Sequence, residues 1–222
     1  MQAPAACLFD LDGLLLNTEP LHGQAWGAAA AHFGTDLSAE QLLQLRGRRR
    51  LDCAQQVVAW VEAPINSDQL LAIQQPIARR LLPTAAANPG AEALVDWCSS
   101  QNVPMALVTS SAQDSVGYKT SGHPWISQIS TRVLGDDPEL KAGKPAPDPF
   151  LLAAHRLGVE PSSCWAFEDS IAGCHSALRA GCHVWVLNPN KEVEAALHGP
   201  SHGTWTSISS LTEVVARLVL RA

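Results

Sequence analysis

Short, uninterrupted apolar runs recur along this chain, at residues 5–9, 105–108, 164–167 and 183–187, with a weaker one around 133 and 134. None alternates apolar with polar residues, so none suits a sheet that is wet on one face. Runs of this kind suit strands covered on both faces, the usual condition of a parallel sheet flanked by helices. Helical segments separate them. Residues 150–157 carry Asp148 as an N-cap, Pro149 in the first turn, Gly158 past the end and Pro161 beyond it. A second helix over 170–180 stops at Gly181, and Ser210 with Glu213 has the spacing of a capping box for a C-terminal helix. The expectation is an α/β protein built on a doubly wound parallel sheet.

Residues 10–104 separate the first run from the second, too many for one crossover helix. Ser38 with Gln41 and Asn66 with Gln69 are helix-start pairs followed by helical apolar spacing. The spacing therefore predicts a helical subdomain over 17–87, inserted into a core made of 1–16 and 88–222. Asn88-Pro89-Gly90 reads as the hinge back into that core.

A chain of 222 residues that is 46% hydrophobic can fill such a core. Its formal net charge of -6 argues against nucleic acid as a partner, which calls for a broadly basic surface. Residues 46–50, with four arginines, stand out against that background. The opening MQAPAACLFDLDG lacks a basic n-region and reaches Asp10 early, unlike a signal peptide, and no apolar stretch has the length of a membrane span. The six cysteines form no C-x-x-C pair, as expected of reduced thiols. These features lead us to expect a cytoplasmic monomer whose partner is a small molecule, with no membrane or nucleic-acid association.

Three of the apolar runs stop abruptly on residues with chemical potential: Asp10, then Thr109-Ser110-Ser111, then Glu168-Asp169. In a doubly wound sheet these are the carboxyl ends of strands, where such folds bind ligands. Carboxylates crowded together call for a cation, and an all-oxygen set suits magnesium better than zinc. A magnesium ion would in turn attract phosphate. Asp10-Leu11-Asp12-Gly13 alone is a weak signal, since acidic residues beside a glycine often only make a turn. Its place directly after a strand strengthens it. Lys144, one of four lysines, lies in Gly143-Lys144-Pro145-Ala146-Pro147-Asp148, where a solvated loop lysine is the bland alternative.

On FDLDGLLLNTEPLH, LVTSS, GKPAPDPF and FEDSIAGCHSALRAG, in that order, the sequence resembles the haloacid dehalogenase superfamily. Within it, the chain is similar to the sugar-phosphate phosphatases and beta-phosphoglucomutases with a helical cap. The four motifs span essentially the whole core, while the cap matches mainly in length and in LRGRRRLD. The resemblance implies that Asp10 is the nucleophile and Asp12 the general acid and base. It further implies magnesium on Asp10, the Asp12 backbone carbonyl, Asp169 and Glu168, with Thr109, Ser110 and Lys144 on the phosphoryl oxygens. Ser111 is expected beside them on the substrate. In the cap, Arg50 is implied to grip an anionic group of the substrate, with Arg48 or Arg49 assisting and His22 near the reacting group; solvated arginines at a helix end are the bland reading of the same residues.

Leu14 and Ser176-Ala177-Leu178 depart from the usual pattern and are expected to leave the chemistry untouched. Residues 117–129, with His123-Pro124-Trp125, are also atypical, and the seven tryptophans read as packing rather than a binding platform. A non-enzymic receiver module also presents an aspartate, a hydroxyl and a lysine, but it needs neither this length nor Asp12. A nucleic-acid adaptor built on the arginines conflicts with the acidic remainder. A dehalogenase needs neither Asp12 nor the paired carboxylates. Phosphatase is preferred, with a phosphosugar mutase as the alternative, because both use the same core.

Overall fold

The computed structural model describes residues 3–45, 50–197 and 204–219. The chain divides into two compact units, one of residues 1–17, 86–116 and 123–222, the other of residues 18–85 with 117–122. The first unit holds strand β1 (Ala6–Phe9), helix α5 (Ala91–Ser100), β2 (Met105–Val108) and the start of α6 (Gln113–Lys119). It continues with β3 (Thr131–Val133), α7 (Asp148–Leu157), β4 (Cys164–Glu168), α8 (Ile171–Ala180), β5 (His183–Leu187), α9 (Lys191–Leu197), β6 (Trp205–Ile208) and α10 (Leu211–Val219).

Among the described residues the sheet has six strands, all parallel, in the order β3-β2-β1-β4-β5-β6. The chain thus winds outward twice from β1, and helices cover both faces, as the unbroken apolar runs require. One face packs Leu8, Ala106, Val108, Ala166, Val184 and Val186 against Phe150, Ala153, Ala177 and Leu178 of α7 and α8. On the other, Phe9 and Phe167 stack at 4.9 Å, Cys98 of α5 meets Cys7, and the Arg217 guanidinium of α10 lies over Trp185. All six cysteines are buried free thiols. Trp26, Trp125, Trp165 and Trp185 are buried as well, in keeping with a packing role.

β6 was not anticipated. It is an edge strand, and its Trp-Thr-Ser-Ile sequence is half exposed, so no apolar run marks it. Two helix starts differ in detail from expectation. Asp148 is the first residue of α7 rather than its cap, because Pro147 already holds a helical φ of -71°. Glu213 accepts from the Ser209 N–H at 2.9 Å, one residue before the Ser210 expected, while Ser210 Oγ accepts from Thr212. The stops are as read: Gly158 and Gly181 take left-handed φ of 69° and 94°.

The second unit contains α1 (Glu19–His32), α2 (Ala39–Gln44), α3 (Arg50–Trp60) and α4 (Ser67–Leu81). Both capping boxes close reciprocally, Ser38 with Gln41 at 3.2 and 2.8 Å and Asn66 with Gln69 at 2.9 Å each way. Trp26, Ala29, Ala54, Val57 and Leu70 form its core, and a smaller cluster joins Ala25, Ala78 and Leu82 to Tyr118. Residues 117–122 of the atypical stretch thus belong to the helical unit, whereas Trp125 is buried in the first.

Candidate active site

The register of the sheet gathers the chemistry at one edge. Phe9 lies between Leu107 of β2 and Phe167 of β4, so Asp10, Thr109 and Glu168 leave the sheet together at its carboxyl end. Asp10 is still held by the ladder, its N–H donating to Phe167 O at 3.1 Å. The chain then turns through Gly13 at φ 85°, and Gly13 N–H and Leu16 N–H close the turn on Leu16 O and Leu11 O. A side chain at Gly13 would collide with the Asp169 carboxylate, so the glycine is needed for space as well as for conformation. Asn88, a residue the sequence suggested only as a hinge, donates its side-chain amide to Gly13 O at 2.7 Å and Leu14 O at 2.8 Å. It ties the returning chain to the loop that bears Asp10 and Asp12.

Lys144 lies at the centre. Its ammonium donates to Asp10 Oδ1 at 2.6 Å, Val108 O at 2.8 Å and Glu168 Oε1 at 2.5 Å, and sits 5.4 Å from the centre of the Phe150 ring. Both carboxylates and the amine are buried. The loop that delivers it, whose Lys144–Pro145 peptide is cis, is held from α8: Ser176 donates to Ala146 O at 2.5 Å and Arg179 to Pro145 O at 2.9 Å. Ser176 was expected to leave the chemistry untouched; its buried hydroxyl bonds the backbone two residues from Lys144.

Glu168 is enclosed completely. Its Oε2 accepts from the Asp169 N–H and from Ser170, which also caps α8 through Gly173 N–H. A Cβ at Gly173 would overlap the Glu168 carboxylate. Thr109 is buried and its Oγ1 accepts from Ser111 N–H at 3.1 Å. Ser111 Oγ donates to Asp12 Oδ2 at 2.8 Å, and Ser110 is exposed.

Burial drives the Asp10 carboxyl up to about 7 against the pull of Lys144, and Glu168 and Asp12 add to the rise. Burial opposes charge on Lys144 too, but Asp10 and Glu168 outweigh it and hold the ammonium well above the ordinary lysine range. The two directions conflict across one ion pair. With contacts of 2.6 and 2.5 Å to two carboxylates, Lys144 stays charged, and the penalty falls on placing the second negative charge beside a single ammonium. Asp10, Glu168 and Asp169 each bring a carboxylate oxygen within 4.8 Å of the others. Three hard oxygen donors, two of them paired with one ammonium, retain excess negative charge, which fits a small divalent cation such as magnesium.

The remaining expected residues lie in the helical unit. Arg50 is exposed at the first position of α3, and His22 is partly buried in α1. Arg46, Arg48 and Arg49 lie outside the described residues. No helix is long and apolar enough to cross a membrane among the described residues.

Among known proteins, the Drosophila melanogaster protein named "Probable pseudouridine-5'-phosphatase" is 37% identical over 197 residues, 86% of this chain and 85% of its own. The fructose-1-phosphate phosphatase of Escherichia coli (strain K12) is 31% identical over 178 residues, covering 80% of this chain and 93% of its own. The crystal structure of a HAD hydrolase from Entamoeba histolytica superposes with a TM-score of 0.79 at 28% identity, covering 94% of each chain. The profile of the haloacid dehalogenase-like hydrolases matches residues 4–181. On these matches, the chain belongs to the haloacid dehalogenase-like hydrolase family.

Proposed function

We propose that this hydrolase is a magnesium-dependent phosphatase that releases phosphate from a small phosphorylated metabolite through an aspartyl-phosphate on Asp10. The observation that carries the reading is the buried Lys144 ammonium held 2.6 Å from Asp10 Oδ1 in a cluster of carboxylates. A nucleophile so placed meets an anionic phosphate beside a fixed positive charge, which is what transfer between two anions requires.

Asp10 attacks phosphorus in line, and the ester P–O bond breaks as Asp12 gives its proton to the leaving oxygen. The ionised Asp12 then takes a proton from water. That water attacks the aspartyl-phosphate, breaks the bond to Asp10 and leaves inorganic phosphate. Thr109, Ser110 N–H and Lys144 hold the phosphoryl oxygens. Magnesium, for which Asp10, Glu168, Asp169 and the Asp12 carbonyl are the ligands proposed, supplies neutralising charge between the two anions when bound. Arg50, Arg49 and His22 are proposed to select the rest of the substrate.

The activities for which these relatives are named support a phosphate monoester of a small polyhydroxylated molecule, such as a sugar phosphate. A screen for released phosphate over such esters with magnesium tests this, with phosphorus NMR to detect isomerised product. Asp10→Asn, folded by circular dichroism, should lose turnover. More than about a tenth of wild-type activity in that variant sinks covalent catalysis at Asp10. An isomerised sugar phosphate without free phosphate would make the enzyme a mutase.

A further inference from the structure

We propose that Ser111 is a positioning residue for Asp12, and that the turn at 134–137, locked by Arg156, holds it in that role. The inference rests on reading Asp12 as the general acid and base.

The Asp12 backbone is fixed by its pairing with Leu16, but an aspartate side chain keeps two torsions that backbone contacts do not set. Ser111 Oγ reaches Asp12 Oδ2 at 2.8 Å. A hydroxyl has one proton and two acceptor sites. That single proton, given to Oδ2, fixes the Asp12 carboxylate from the loop after the neighbouring strand. A hydroxyl whose proton points at Asp12 is also withdrawn from donating to a phosphoryl oxygen.

Ser111 is in turn held from the neighbouring strand. Thr109 N–H donates to Val133 O at 3.0 Å, and Gly135 N–H to Ser111 O at 2.9 Å. Asp136 Oδ1 accepts from Gln113 N–H at 3.0 Å. A Cβ at Gly135 would run into the Ser110 carbonyl, so the two loops touch backbone to backbone. The turn is pinned from α7. Arg156 donates to Asp137 through both terminal nitrogens, at 2.6 and 2.9 Å, and to Arg132 O at 2.7 Å. The Arg156 hydrogen bond keeps the Asp137 carboxyl below its ordinary range, which favours the ionised form that the fork requires.

Steady-state and stopped-flow kinetics of Ser111→Ala, Ser111→Thr, Arg156→Lys and Asp12→Asn test the proposal, using a sugar phosphate turned over by the wild type and 2,4-dinitrophenyl phosphate. Losing a hydrogen bond to a charged group corresponds to about tenfold. Ser111→Ala should therefore lower kcat on the sugar phosphate about tenfold while KM changes less than about twofold. On the aryl ester, which leaves without an acid, the variant should show a burst of dinitrophenol and accumulate phosphoenzyme, because only hydrolysis still needs Asp12 aligned. Ser111→Thr keeps the hydroxyl and should restore most of kcat. Arg156→Lys keeps the charge but loses the fork and should lower kcat in the same sense. A rise in KM at unchanged kcat in Ser111→Ala makes Ser111 a substrate ligand and overturns the proposal. Wild-type kinetics in Ser111→Ala beside an inactive Asp12→Asn overturns it too, with the acid–base reading intact. Wild-type turnover in Asp12→Asn overturns that reading itself. Wild-type kinetics in Arg156→Lys removes the turn from the device.

Discussion

Lys144 serves two carboxylates with one charge, and that shortage of positive charge has measurable consequences. Because burial lifts Asp10 to about 7, its carboxyl carries a proton in the metal-free protein over much of the mildly acidic range. A cation binds the ionised form, so binding must expel that proton. Magnesium affinity should fall about tenfold for each pH unit below 7 and level off above it. Calorimetry in buffers of different ionisation enthalpy should find close to one proton released near pH 6 and few near pH 8. A flat affinity from pH 6 to 8 would show that Asp10 is ionised throughout. Asp169→Asn should raise the magnesium requirement at every pH. Gly173→Ala offers a steric counterpart: its methyl group overlaps the enclosed Glu168 carboxylate, so we expect a loss of about 1–3 kcal/mol in urea unfolding together with reduced turnover. Unchanged stability would mean that Glu168 can move aside. What the sequence revealed at this scale follows from strand ends. Asp10, Thr109 and Glu168 each close an apolar run, so their convergence was legible. Asn88, Ser176 and Arg156 act on backbone carbonyls or loop carboxylates distant in sequence, and nothing in their local pattern announces the partner.

At the scale of elements, legibility tracks how local the determining interaction is. The boxes at Ser38 and Asn66 involve residues three apart, and they close as the sequence indicated. The edge strand β6 depends on β5 for its hydrogen bonds and has little apolar pattern of its own, so only tertiary pairing defines it. α4 shows a different tension. Its buried face runs through Leu70, Leu71, Gln74 and Ala78, and Gln74 Oε1 finds no hydrogen-bond partner among the described residues. An acceptor left dry in this way costs about 1–3 kcal/mol. Gln74→Leu removes the acceptor at similar volume, and its urea midpoint should rise, corresponding to about 1 kcal/mol after the repacking loss. A drop in the midpoint of the same size would mean that the amide is satisfied in solution.

Taken whole, the protein carries a net charge of -6 and is proposed to act on an anionic ester, so the general field opposes binding and local cations must reverse it. Lys144 is proposed to do so at the reacting phosphate. Residues 46–50 carry four arginines in the sequence, and of these Arg50 is described, exposed at the start of α3. A cation at the first turn of a helix faces the positive end of its dipole, so Arg50 contributes nothing to α3 by that route. The role proposed for it is substrate recognition. A charge-assisted hydrogen bond from Arg50 to an anionic group away from the reacting phosphate corresponds to roughly 1.5–3 kcal/mol, or about ten- to a hundredfold in kcat/KM. Arg50→Ala should therefore impair turnover of a sugar bisphosphate by that factor, yet leave p-nitrophenyl phosphate within about twofold of wild type. Comparing kcat/KM for the two esters, at low and at physiological salt, separates the alternatives. Equal losses on both esters would assign Arg50 to the fold of the helical unit, and no loss on either would return it to the solvated surface.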